Sequence, residues 1–180
     1  MIEVEAKVKI ANEKEYRKKI KAFGKFKGIE KKTDDYYSLE SPKRYPRKSL
    51  RVRKKNKLYE INFKEKLSYV KGVHAKNEQE FQVDDIKDFL SLINDFGFKK
   101  WLTKIKTTEL YEIRKNFHIE LNHVKNLGWF LEIEYLTSKN NIRSARKQVL
   151  QVIRKLGLKN KDIVKQGYTK MLWNKGVYYK

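Results

Sequence analysis

The chain has 180 residues with no cysteine, and its 44 Lys and Arg against 22 Asp and Glu give a formal net charge of +22. The lack of cysteine excludes disulfides, thiolate catalysis and Cys-based zinc sites. GxSxG, GxGxxG and P-loop signatures are absent, and His74, His118 and His123 show no HExxH spacing, so the common hydrolase, dinucleotide, P-loop and zincin chemistries are excluded as well. No apolar run approaches the ~18 residues of a membrane span and the charged N-terminus is unlike a signal peptide, so the expectation is a cytoplasmic protein with one domain over residues 1–180. The positive field favours polyanionic partners.

In chain order, residues 2–10 alternate without a break between apolar Ile2, Val4, Ala6, Val8 and Ile10 and charged Glu3, Glu5, Lys7 and Lys9. Strand side chains repeat every second residue, so Glu3, Glu5 and Lys7 share one face about 7 Å apart. Asn12 to Phe23 has helical spacing, with Tyr16, Ile20 and Phe23 on one side. Thr33 to Leu39, with Tyr36 and Tyr37, has strand composition, and Leu50 to Arg53 sets Arg51 and Arg53 on one face. Tyr59 to Lys64 opposes Tyr59, Ile61 and Phe63 to Glu60, Asn62 and Lys64, and Glu78 to Val83 carries Glu78 and Glu80 as a carboxylate pair. A second helix is expected over Asp84 to Phe96, followed by a strand from Trp101 to Tyr111 that bears Lys104 and Lys106. Phe117, Ile119 and Leu121 then oppose His118, Glu120 and Asn122, and Phe130 to Tyr135 presents Glu132 with Glu134. A third helix spans Ser138 to Leu156, and a shorter one falls at 162–165 or 168–172. Gly24, Gly97 and Gly157 stand at the three helix ends. Each Glu-x-Glu strand is followed within a few residues by one of these helices, as if one unit were used three times.

Period-2 segments bounded by turn residues indicate an antiparallel, α+β architecture. Seven or eight strands suffice to close a barrel. The polar positions are mostly Glu, Lys and Arg in same-sign pairs, which suggests a closed barrel with apolar faces outward beneath amphipathic helices and the ionic faces lining a charged interior. Such an interior is costly unless acids, bases, water and ligands neutralise one another. A metal-bound polyphosphate fits both charge signs: Lys and Arg take phosphate oxygens, and clustered carboxylates take a hard ion such as Mg2+ or Mn2+.

Glu3, Glu5 and Lys7 form an ExExK motif at the N-terminus, and the chain resembles the CYTH, or triphosphate-tunnel, superfamily. Further segments carry the likeness in order: Asp34-Asp35-Tyr36-Tyr37, Leu50-Arg51-Val52-Arg53, Phe63-Lys64, Glu78-Gln79-Glu80, Lys104-Ile105-Lys106 and Leu127 to Glu134. The resemblance implies an eight-stranded antiparallel tunnel in which Glu3, Glu5, Glu132 and Glu134 are metal ligands. It implies Arg51, Arg53, Lys64, Lys104 and Lys106 as triphosphate-binding residues, alongside Lys7. Lys7 with Tyr36 would supply a Lys-Tyr arrangement for activating water, and Glu78, Glu80, Glu120 and Asn122 are further candidates for the polar lumen. Two positions depart from the family pattern: Asn122 stands where Asp is usual, and Lys106 where Arg is usual. The branch it most resembles is the class IV adenylyl cyclases, which convert ATP to cyclic AMP and pyrophosphate, with hydrolysis of thiamine triphosphate or tripolyphosphate as the alternative. A non-catalytic nucleic-acid or polyphosphate module is the competing class, supported by the basic stretch 43–57 that includes Tyr45. A homodimer is left open.

Overall fold

The computed structural model describes residues 2–55, 58–70 and 73–179, apart from the side chains at 55, 63–69 and 75–79. Its strands are β1 (Ile2–Lys9), β2 (Lys25–Ser38), β3 (Leu50–Lys55), β4 (Leu58–Val70), β5 (Val73–Val83), β6 (Lys99–Arg114), β7 (Phe117–Val124) and β8 (Gly128–Thr137). The helices are α1 (Glu13–Lys21), α2 (Lys87–Asp95), α3 (Ile142–Lys155) and α4 (Tyr168–Asn174), with 3-10 turns at Lys139–Asn141 and Asn160–Asp162. Among the described residues no helix is long and apolar enough to cross a membrane.

The strands run antiparallel around a closed ring in the order β1-β5-β4-β3-β2-β6-β7-β8. β1 closes it by pairing with β5 on one side and β8 on the other. Closure gives each strand one face inside and one outside. β1 shows how the alternation is used. Its apolar Ile2, Val4, Ala6 and Val8 join a core outside the barrel that α3 covers with Ala145, Val149, Val152 and Ile153. Each fully buried aliphatic side chain of this kind contributes about 1.5–3 kcal/mol, and the sum fixes the strand's register, since a one-residue slip would turn Glu3, Glu5 and Lys7 into hydrocarbon. A second cluster, around Trp101, Phe130, Tyr168 and Leu172, seats α4. A third, around Val52, Ile61 and Ile86, lies beneath α2.

The helix boundaries follow local chemistry. Asn12 caps α1, its side chain accepting a bond from the Glu15 N–H at 3.3 Å. Gly97 and Gly157 take positive φ of 89° and 78° and close α2 and α3, in the left-handed conformation that glycine adopts without cost. Gly24 is different: a Cβ there would lie 3.3 Å from the Tyr111 Cβ, so close approach rather than conformation calls for glycine. The short helix expected near the C-terminus falls at 168–174, and residues 160–162 form a single 3-10 turn. β2 begins at Lys25, well before the expected Thr33, because a register irregularity between Phe26 and Gly28 breaks the alternation there.

Candidate active site

The inward faces enclose a cavity of about 600 Å³ lined by both charge signs. Ring order sorts the charges. The three Glu-x-Glu strands, β5, β1 and β8, are consecutive neighbours. The strands bearing Arg51 and Arg53 (β3) and Lys104 and Lys106 (β6) flank β2, which lies across the ring from β1. An acidic wall therefore faces a basic one.

On the acidic side, Glu3, Glu5 and Glu132 are buried and Glu134 is half-buried. Register sets Glu5 opposite Glu134, and Lys7 opposite Glu132. Glu120 lies opposite Glu132 on β7. Lys7 Nζ is 3.1 Å from Glu132 Oε1. Lys106 Nζ is 2.6 Å from Glu120 Oε2 and 3.2 Å from Glu132 Oε2. Asn122, fully buried, donates from Nδ2 to Glu120 (3.2 Å) and Glu132 (2.8 Å) and accepts from the Thr108 hydroxyl (2.7 Å). Burial is the largest influence on Glu120 and Glu132 and works to raise both, but Lys106 together with Lys32 at Glu120, and Lys106 together with Lys7 at Glu132, hold both carboxyls below the usual range. The same carboxylates act against burial at Lys106 and raise its pKa.

On the basic side, Asp34 is wholly buried between Arg53 on β3 and Lys104 on β6, its direct partners in the two neighbouring strands. Arg53 reaches it by two parallel bonds, and Lys104 Nζ lies 2.7 Å from Oδ2. Burial alone would raise Asp34, but Lys104, Arg53 and Arg51 together hold it well below the usual carboxylate range. Burial pushes Lys104 down to about 7; Asp34 opposes this, and Lys106, Arg53 and Arg51 reinforce it. Arg51 is buried and 3.6 Å from Glu80, and among the described residues its Nε has no hydrogen-bond partner. An orphaned buried donor of this kind costs about 1–3 kcal/mol until something fills the cavity beside it.

Of the residues singled out in the sequence, Glu3, Glu5, Lys7, Tyr36, Arg51, Arg53, Glu80, Lys104, Lys106, Glu120, Glu132 and Glu134 all line this one cavity. Asn122 stands just behind it against Glu120 and Glu132. The side chains of Lys64 and Glu78 lie outside the described residues; their backbones pair with one another across β4 and β5. Lys7 and Tyr36 are found with other partners than each other. Lys7 sits over the Tyr168 ring at 4.1 Å, whereas Tyr36 bonds to Asp34 and has Lys104 over its ring at 5.7 Å.

The sequence reading missed Asp34 as a buried counter-ion, Lys32, and the groups that α4 brings to the cavity; Tyr45, Arg47 and Lys48 belong to the basic stretch it did single out. The 39–49 loop and α4 meet: Tyr45 and Thr169 share a 2.8 Å hydrogen bond, and the Trp173 indole donates to the Pro42 carbonyl at 2.9 Å. Arg47 and Lys48 of this loop are exposed and also line the cavity. A two-residue reading of Lys32, Asp34 and Tyr36 would have found the first two; nothing in the pattern marks Tyr168 as a cavity residue.

Glu3, Glu5, Glu132 and Glu134 offer only hard carboxylate oxygens, which suits Mg2+ or Mn2+ rather than a soft metal. Among the described residues no three His, Asp or Glu side chains are gathered into a ready metal cluster. The donor chemistry fits, with Glu132 engaged by Lys7 and Lys106.

A charged tunnel closed by eight antiparallel strands agrees with the family match: the CYTH domain model covers residues 1–168. This chain belongs to the CYTH family. Among solved structures, PH1012 of Pyrococcus horikoshii is similar at 34% identity and a TM-score of 0.79, covering 93% of this chain and 98% of that one. A Methanocaldococcus jannaschii protein, MJ0240, provisionally named an adenylate cyclase, is 26% identical over 179 residues, 95% of this chain and 98% of its own. The Hippeastrum protein HpAC1, provisionally named an adenylyl cyclase and described as having a dominant triphosphatase activity, shares the CYTH fold at 14% identity and a TM-score of 0.66, over 97% of this chain and 95% of its own.

Proposed function

We propose that this CYTH protein is a divalent-metal-dependent enzyme acting on triphosphate substrates, with ATP, converted to cyclic AMP and pyrophosphate, as the preferred case. The observation that carries the reading is the facing of the two walls within one cavity, with Arg51 in its lining and the Arg51 Nε donor without a partner among the described residues. A triphosphate brings several negative charges in a row, and Arg51, Arg53, Lys104 and Lys106 are spaced along two strands to meet them. Arginine at two of these positions allows paired contacts to phosphate oxygens.

Glu3, Glu5, Glu132 and Glu134 would hold a Mg2+ or Mn2+ ion, which when bound supplies Lewis-acid polarisation of the phosphate oxygens and of the attacking oxygen. The protein's own contribution is positioning and charge compensation, as in phosphoryl transfer generally. The basic wall holds the phosphates and stabilises the charge that builds on the leaving group. In the cyclase reaction the ribose 3′ oxygen attacks the α-phosphorus and pyrophosphate leaves. Support for this case comes from the relative named as an adenylate cyclase over nearly its whole length.

Hydrolysis of the terminal phosphate of thiamine triphosphate or tripolyphosphate uses the same cradle, and Lys7 with its stacked Tyr168 is the pair on the acidic wall nearest the role of orienting water. Incubation with ATP, tripolyphosphate and thiamine triphosphate plus Mg2+ or Mn2+, with product identification, separates the cases. Cyclic AMP with pyrophosphate establishes the cyclase, and orthophosphate the hydrolase. Release of neither from any of the three rejects the enzyme reading.

A further inference from the structure

Glu132 is clasped from both sides by the cations that a substrate would need. Its Oε1 is 3.1 Å from Lys7 Nζ, and its Oε2 is 3.2 Å from Lys106 Nζ and 2.8 Å from Asn122 Nδ2. All three charged side chains are buried, at 9% exposure for Glu132, 8% for Lys7 and 7% for Lys106. Away from water such contacts are strong, so both ammonium groups are committed to protein. Lys106 is anchored a second time, to Glu120 at 2.6 Å. Glu132 is the carboxylate that ion-pairs Lys7 among the described residues. One carboxylate therefore links a lysine of β1 to a lysine of β6, from opposite sides of β8 and β7 in the ring.

We infer that Glu132 is an internal latch on the cationic cradle: while its charge is answered by Lys7 and Lys106 the two lysines are withheld from an anion, and when an incoming divalent cation takes the carboxylate Lys7 is released while Lys106 keeps only its contact to Glu120. The inference rests on the triphosphate reading and adds to it a dependence of anion affinity on the state of one residue. Metal and triphosphate are then coupled through Glu132 as well as through their direct contact. Without metal the tunnel is a weak anion binder despite its surplus of cations, because those nearest the acidic wall are occupied.

The test is tripolyphosphate binding by calorimetry in EDTA, where no metal effect intrudes. Glu132→Gln keeps the shape and an acceptor for Asn122 but removes the charge, and is expected to bind tripolyphosphate at least about 10-fold more tightly than the unmodified protein, a difference of about 1.4 kcal/mol. A Lys7→Met, Glu132→Gln cycle separates release of a specific lysine from a general change of field: the gain from Glu132→Gln should shrink several-fold when Lys7 is absent. Affinity in EDTA that is unchanged or lower in Glu132→Gln overturns the latch, as does a gain equally large with methionine at position 7.

A measurement on the unmodified protein guards against a misfolded variant. Mg2+ alone should speed solvent exchange of the Lys7 ammonium protons, observed by nitrogen-15 NMR, and unchanged exchange at saturating Mg2+ again rejects the latch. Failure of the unmodified protein to bind tripolyphosphate even with Mg2+ would instead remove the triphosphate reading, and this inference with it.

Discussion

Asp34 and Arg53 are direct cross-strand partners on β2 and β3, joined by Nε–Oδ1 and Nη2–Oδ2 bonds of 2.6 and 3.0 Å. Lys104 approaches the same carboxylate from β6 at 2.7 Å, so one buried anion is shared by two cations of the basic wall. Asp34→Asn keeps the volume and removes the charge that compensates both. Removing one partner of a buried pair costs about 3–5 kcal/mol because the other charge is left uncompensated. The expected result is a loss of that order in urea denaturation, and a change below about 1 kcal/mol would show that Asp34 is not the structural counter-ion.

Lys104 supplies a pH prediction. Its pKa of about 7 arises from burial and from neighbouring cations, Asp34 opposing. Between that value and the ~10.5 of an unfolded lysine the unfolded chain binds more protons, so this group's contribution makes folding more favourable as pH rises through the window. A bound triphosphate adds negative charge beside it and draws the proton back. At pH 8, tripolyphosphate binding should therefore take up close to one more proton in the unmodified protein than in Lys104→Met, measured from binding enthalpies in buffers of different ionisation heat. Equal uptake by the two would show that Lys104 is already charged in the empty cavity.

Glu3 carries a prediction for metal dependence. It is buried on the same face as Glu5 and Lys7 and lines the cavity. If it holds the ion, Glu3→Gln should lower Mg2+- or Mn2+-dependent turnover by about 10²–10³-fold, the usual cost of losing one electrostatic contact to the reacting centre. The melting temperature should stay within a few degrees of the unmodified protein. Normal turnover would remove Glu3 from the ligand set.

The strands were legible where alternation was unbroken and hidden where it was not. β1 is the clear case: its apolar residues reach a core of their own and its charged residues reach the cavity, so a period of two encodes both faces. The irregularity at Phe26 and Gly28 erased the same signal over the first half of β2, and the expected strand began eight residues late as a result. Most site residues were named because each lies at an inward position of its own strand. What alternation could not convey is which inward groups meet across the lumen. Lys106 bonds Glu132 two strands away, and Lys32 reaches Glu120 in the same way, contacts set by barrel closure rather than by local pattern. Tyr45 and Tyr168 enter from a loop and a short helix, where no strand period applies.

Asn122 gives a final prediction, on the balance of charge within the acidic wall. Its amide donates to Glu120 and Glu132 at once, while its oxygen accepts from Thr108. Asn122→Asp replaces that donor by a third carboxylate pressed against the other two. In EDTA the barrel should lose about 1–3 kcal/mol of stability, because two acceptors lose their donor and like charges are forced together in a buried site. Added Mn2+ should restore more stability to Asn122→Asp than it adds to the unmodified protein, since an ion that binds the folded state better stabilises it by mass action. Urea denaturation with and without Mn2+ reads both effects. A variant as stable as the unmodified protein in EDTA, with no added response to Mn2+, would mean that the amide's two donated bonds carry no weight in holding Glu120 and Glu132 together.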